Sequence, residues 1–140
     1  MARQVSRFPT ELELEILKIL WREGPSSVRL VRQDLVLFRD LAHTSVMTMM
    51  GIMTEKGYLK RTRQGKSYIY EPDVTREKIT GAMLADMVDR VFQGSLTSVM
   101  IRLLEMDRID QNALAKLRQL IEDKSREVRG RSEAPLFSAD

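Results

Sequence analysis

The residues best suited to chemistry in this 140-residue chain lie between Ala42 and Lys66. The run Ala-His-Thr-Ser-Val-Met-Thr-Met-Met-Gly-Ile-Met-Thr-Glu-Lys-Gly from Ala42 to Gly57 has no proline. It opens on Thr44 and Ser45, good helix-start residues, and Gly57 is a natural stop. At helical spacing Val46, Met49, Met50 and Met53 share one apolar arc, and Thr44, Met47, Thr48 and Gly51 share the opposite face, with Ser45 at its margin. A solvated helix face ordinarily carries Lys, Glu or Gln. A neutral face of Thr, Met and Gly suits close approach to another surface, and its hydroxyls and methyls match the base edges and thymine methyls of a DNA groove. A helix buried on both sides is the competing reading.

Charge supports the groove. Between Arg39 and Lys66 there are six cations, Arg39, Lys56, Lys60, Arg61, Arg63 and Lys66, against two anions, Asp40 and Glu55. That local excess is larger than the net +3 of the whole chain. Such clustering is the footprint of a phosphate-binding surface, although small clusters also occur on ordinary solvated loops.

Other chemistry is poorly provided for. With no cysteine, disulfides, thiolate metal sites and thiol nucleophiles are excluded. His43 is the sole histidine, so any Ser-His-Asp triad or histidine metal site would have to use it. Its place beside a helix start in the basic segment favours a phosphate or base contact. Acidic residues are scattered without the paired spacing of acid–base catalysis, and there is no glycine-rich phosphate loop. The expectation is a protein that is not an enzyme, with no catalytic residues, metal or cofactor. No apolar run is long enough to span a bilayer, and the N-terminus lacks a signal peptide's apolar core. A cytoplasmic location without membrane insertion is expected.

The elements that position these residues follow in order. Thr10-Glu11-Leu12-Glu13 has capping-box form. A helix should run from it to about Glu23, with Leu12, Ile16, Ile19 and Leu20 inward and Trp21 packing at its end. Gly24-Pro25 ends it. Ser26 or Ser27 caps a second helix to about Leu37, with Val28, Val31 and Leu35 inward and Arg29 and Arg32 elsewhere on its surface. Phe38–Leu41 links it to the central helix. Then the period changes: Tyr58–Arg63 and Ser67–Tyr70 alternate about Gln64-Gly65-Lys66, a β-hairpin carrying a cluster of cations. Three helices and a basic hairpin make a winged helix-turn-helix.

Pro72 closes the hairpin. Thr75 caps a long helix to about Gln93, Ser95 a short one to Glu105, and Asp110 a last one to Arg129, stopped by Gly130. Expected domains are therefore residues 1–72, a winged-helix DNA-binding domain; 73–130, a three-helix dimerisation region; and 131–140, a disordered tail that includes Leu136 and Phe137. Met1–Arg7 should also be loose. The last three helices have stripes too wide to bury among themselves. A second copy is the simplest cover, with Met83, Met87, Val91, Leu117 and Ile121 in the dimer core.

The sequence resembles the penicillinase-repressor family, the BlaI/MecI/CopY group of winged-helix transcriptional repressors. The resemblance rests on Thr10-Glu11-Leu12-Glu13-Leu14-Glu15-Ile16 with Leu20-Trp21, on Gly24-Pro25 and Ser27-Val28-Arg29, and on Leu41-Ala42-His43-Thr44-Ser45-Val46-Met47-Thr48. It continues through Lys56-Gly57-Tyr58-Leu59, Tyr68, Tyr70, Pro72 and Val74. It implies a homodimer that binds an inverted-repeat operator through the N-terminal domain. Three departures stand out. Gly51 and Ile52 occupy places where many members have a polar residue and an arginine. The cysteine cluster of copper-responsive members is absent. Antibiotic-responsive members are cleaved between Asn and Phe under a membrane sensor system, and the corresponding candidate cleavage pair here is Arg102-Leu103.

The sequence thus predicts a mainly α protein that represses transcription from double-stranded operator DNA, with DNA contacts from Arg39, His43, Thr44, Ser45, Met47, Thr48, Gly51, Arg61, Arg63 and Lys66. The resemblance to the antibiotic-responsive members adds a membrane sensor or protease system as a candidate partner. The alternative is a winged-helix protein-interaction module that binds no DNA.

Overall fold

The computed structural model describes residues 8–133. Expectations for Met1–Arg7 and for the tail from residue 134 on, Leu136 and Phe137 included, lie outside them. The chain is mainly α, a winged helix-turn-helix followed by further helices. The elements are α1 (Glu11–Glu23), α2 (Val28–Leu35), α3 (His43–Glu55), β1 (Leu59–Gln64), β2 (Ser67–Pro72), α4 (Arg76–Val91), α5 (Leu96–Glu105) and α6 (Gln111–Glu133). No helix among the described residues is long and apolar enough to cross a membrane.

Local chemistry starts most helices where the sequence indicates. Thr10 Oγ1 accepts from the Glu13 amide while Glu13 Oε1 accepts from the Thr10 amide, a complete capping box. Ser27, Thr75, Ser95 and Asp110 each accept an amide bond three residues on. α3 departs from expectation. Its N-cap is Ala42, with no side-chain cap bond, so Thr44 and Ser45 lie inside the first turn and His43 begins it. α2 stops at Leu35 and not Leu37, leaving Leu37 95% exposed in the following turn. α6 passes through Gly130 to Glu133, so residues 131–133 continue a helix and are not tail.

Two compact units divide the chain, residues 1–93 and 94–140. In the first, α1 contributes Ile16, Leu17 and Leu20, α2 Val31 and Leu35, and α3 Val46, Met50 and Met53, joined by Leu59 and Tyr70 of the hairpin. Apart from Leu17, which was not in the α1 stripe, these helix residues belong to the apolar arcs read from spacing. The unit also takes in α4, beyond the boundary expected at Pro72. Ile79 is buried in this core, with Val74 and Met83 packed against it, and Trp21 Nε1 donates to the Val74 carbonyl at 3.0 Å. Met83 therefore already has apolar neighbours within its own chain, whereas Met87 and Val91 stay exposed.

In the second unit α5 and α6 bury little. Among its described residues Val99 alone is buried, while Leu96, Met100, Ile101, Leu103, Leu104, Leu120 and Ile121 stand about half exposed or more.

Candidate nucleic-acid interface

α3 is held at both ends. At its C-terminus Gly57 adopts φ +88°, where a side chain would be strained. The Tyr58 amide reaches the Met53 carbonyl at 2.9 Å and the Gly57 amide the Thr54 carbonyl at 3.1 Å. This Schellman closure satisfies the last carbonyls and turns the chain directly into β1. Lys56, the C-cap, donates to the buried Glu13 carboxylate at 2.8 Å. At the other end, Arg32 Nε donates to the Leu41 carbonyl at 2.7 Å, fixing the link that enters α3.

The hairpin pairs Leu59 with Pro72, Arg61 with Tyr70, Arg63 with Tyr68 and Gln64 with Ser67. Its turn is therefore the two residues Gly65-Lys66, with glycine first at φ +65°. Residues opposite one another share a face. Arg61 and Arg63 thus lie with Tyr70 and Tyr68, while Lys60 lies on the other face with Glu71. A backbone bridge between Ser26 and Tyr70, with N···O distances of 2.9 and 2.8 Å, ties the outer edge of β2 to the loop before α2. That bridge sets the start of α2 beside the wing.

The bridge produces a cleft of about 460 Å³ lined by Ser27, Val28 and Arg29 of the α2 start, His43 and Met47 of α3, and Lys66, Ser67, Tyr68 and Tyr70 of the wing. Of the expected contact residues, His43, Met47 and Lys66 meet there. Thr44, Ser45 and Thr48 are exposed on α3, and Gly51 is half-buried. Arg39 is exposed in the link, its guanidinium 5.5 Å from the Phe38 ring. Arg63 Nε donates to the Gly65 carbonyl at 3.1 Å and braces the turn. Arg61 lies over the Tyr68 ring at 4.4 Å. The Tyr70 side chain, most of all, raises its pKa, with Tyr68 and Glu55 adding to the effect.

Two of the six cations counted in the basic segment are neutralised within the protein. Lys56 is taken by Glu13 and Lys60 by Glu71 Oε1 at 3.6 Å. Arg29 joins the remainder across the cleft. Sequence spacing placed it elsewhere on α2, and the Ser26–Tyr70 bridge brings it here. Its signal was its position just after the Ser27 cap, where the first turn of a helix meets an anion most readily. Glu55 was also missed as a member of the outer face. Eleven residues from Thr44 at 100° each place it back on that stripe, and it is exposed.

The sequence pattern of the penicillinase repressor family matches residues 9–123. The chain belongs to the penicillinase repressor family. That family is made up of transcriptional repressors. The chain is 22% identical to the penicillinase repressor of Bacillus licheniformis over 81% of its own length and 89% of that protein's. It is 28% identical to the transcriptional regulator BlaI of Mycobacterium tuberculosis over 76% and 83% of the two. The solution structure of the Bacillus licheniformis BlaI monomer in complex with the blaP half-operator shares 23% identity. It covers 54% of this chain and 87% of that one, with a TM-score of 0.42.

Proposed function

We propose that this family member is a cytoplasmic transcriptional repressor, not an enzyme, which binds an inverted-repeat operator as a homodimer. α3 lies in the major groove, and Lys66, Arg63 and Arg29 contact the flanking phosphates. The observation that carries this reading is the outer face of α3: exposed, free of cations, and bordered by a cleft whose walls supply Arg29 and Lys66. The neutral side chains of Thr44, Met47 and Thr48 suit the groove floor, and cations beside them suit its rims.

A second copy covers the apolar surface of α5 and α6. A groove of about 590 Å³ lined by Met100, Leu117, Leu120, Ile121 and Val128, with Lys124 and Ser125 as its polar members, runs along it, and an apolar surface of this kind marks a contact with another chain. Met87 and Val91 extend the same role along α4. For release, Arg102 and Leu103 lie exposed in α5. That helix buries only Val99, so local unfolding costs little and opens its backbone to a protease.

The test is an ionic-strength series on duplex binding by the full chain. A DNA reader loses affinity steeply with salt because phosphate contacts release counterions. A protein-interaction module would bind no duplex at any salt, and that result would reject the proposal.

A further inference from the structure

The outward face of α3 holds no side chain that reads a base through a forked pair of hydrogen bonds. Arg, Asn and Gln do that, and none occurs between His43 and Glu55. What the first half of the face does expose bears methyl groups: Thr44, Thr48 and Met47, the last 46% exposed. The core does not require them there, because Val46, Met50 and Met53 fill it from the opposite arc. Nor do the hydroxyls serve the helix. Thr54 and Thr80 donate back to carbonyls of their own helices, whereas the hydroxyls of Thr44 and Thr48 make no hydrogen bond among the described residues. One turn further on, a Cβ built on Gly51 would meet no atom within 4 Å, so packing does not demand glycine. Its use is to let the helix backbone approach. Glu55 closes the stripe, and its charge, felt by Arg61, disfavours phosphate at that end. The N-terminal half of α3 is thereby the half that goes deepest.

Resting on the DNA-binding reading above, we propose that this chain discriminates its operator through thymine. The C5 methyls of thymines in the major groove seat against the Met47 side chain and the Thr44 and Thr48 methyls, and Met47 is the specificity-determining residue. Uracil presents the same hydrogen-bonding edge without the methyl, so it isolates the contact. Removing N7 acceptors from purines isolates the opposite mode, readout by hydrogen bonds.

Full-length protein is used to select duplexes from a random-sequence pool. The selected duplex is then titrated against two copies of itself, one with every thymine replaced by deoxyuridine and one with 7-deazapurines. The deoxyuridine copy is expected to bind more weakly by about fourfold for each contacted thymine, the effect of one methyl returned to water. The 7-deazapurine copy should lose less than about twofold, since no side chain on this face makes a forked contact to a purine. Met47→Ala, at an exposed position, should keep its melting temperature and salt slope while losing most of the preference for thymine over uracil. A deoxyuridine copy that binds as tightly as the thymine duplex, or a deazapurine copy that loses more, would overturn the inference and leave DNA binding intact. Failure to bind any duplex at low salt would overturn the DNA-binding reading itself, and this inference with it.

Discussion

Lys56 Nζ donates to Glu13 Oε2 at 2.8 Å across 43 residues of sequence, joining the end of α3 to the first turn of α1. Glu13 is 1% exposed and the Lys56 side chain 20%. The other carboxylate oxygen accepts the Thr10 amide, so both oxygens of a buried charge are satisfied. The pair ties the end of α3 to α1 within the first unit. Removing only the cation leaves a buried carboxylate without its partner. Lys56→Met should therefore destabilise the first unit by about 3–5 kcal/mol. Glu13→Gln keeps a capping acceptor and should cost less. Urea unfolding of the three proteins checks the order.

Tyr58, buried beside the same carboxylate, has its pKa raised, first by burial and then by Glu13. A raised value favours the neutral phenol in the folded state. The contribution is complete below the unfolded tyrosine value of about 10 and is lost as pH climbs from there through the higher folded value. The melting temperature should fall over that alkaline window, and Tyr58→Phe should flatten the fall relative to the parent. Parallel alkaline arms in the two melting profiles would contradict this.

Lys66 sits at the second turn position of the wing and lines the cleft with Arg29. A phosphate contact carries no base information. Lys66→Ala should weaken cognate and scrambled duplexes by a similar factor and reduce the salt slope by about 1. A changed base preference at one operator position, with the slope intact, would place Lys66 in a different role.

Ile121 lines the apolar groove of the second unit and is about half exposed. A charge there must be desolvated if a second copy covers it, at a cost of several kcal/mol. Ile121→Glu should sediment as a monomer whose first unit melts normally and whose affinity for a full inverted repeat drops toward that for a half-site. A dimer of unchanged stability would show that this groove is not the interface.

Local signals in the sequence foretold local structure. The caps at Thr10, Ser27, Thr75, Ser95 and Asp110, the arcs of α1 to α3 and the glycine turn of the wing each depend on residues within a few positions of one another. What escaped depended on distance. The bond from Lys56 to Glu13 joins residues far apart in sequence, so Lys56 read as part of a basic surface. The Ser26–Tyr70 bridge is a single backbone pairing and leaves no periodicity, so Arg29 was not placed beside the wing. The start of α3 was read about two residues late because Ala42 offers no capping side chain. α4 read as wholly part of the dimerisation region, since its stripe does not reveal that Ile79 and Met83 pack on the first core.

Entry of the outer face of α3 into the groove is what every DNA contact proposed above requires. Gly51 lowers helix stability by roughly 1 kcal/mol relative to alanine, and the free protein has room for a side chain there. Gly51→Ala should therefore raise the melting temperature slightly, and Gly51→Arg should fold. The decisive measurement is a competition assay of Gly51→Arg and Thr48→Ala on cognate against scrambled duplex, reading the ratio of the two affinities, since added positive charge alone strengthens both. Thr48→Ala should lose about 1–3 kcal/mol of cognate binding if its side chain meets a base, and Gly51→Arg should collapse or redirect the preference for the cognate. If both variants keep the parent's affinity and the parent's ratio, this face does not touch DNA.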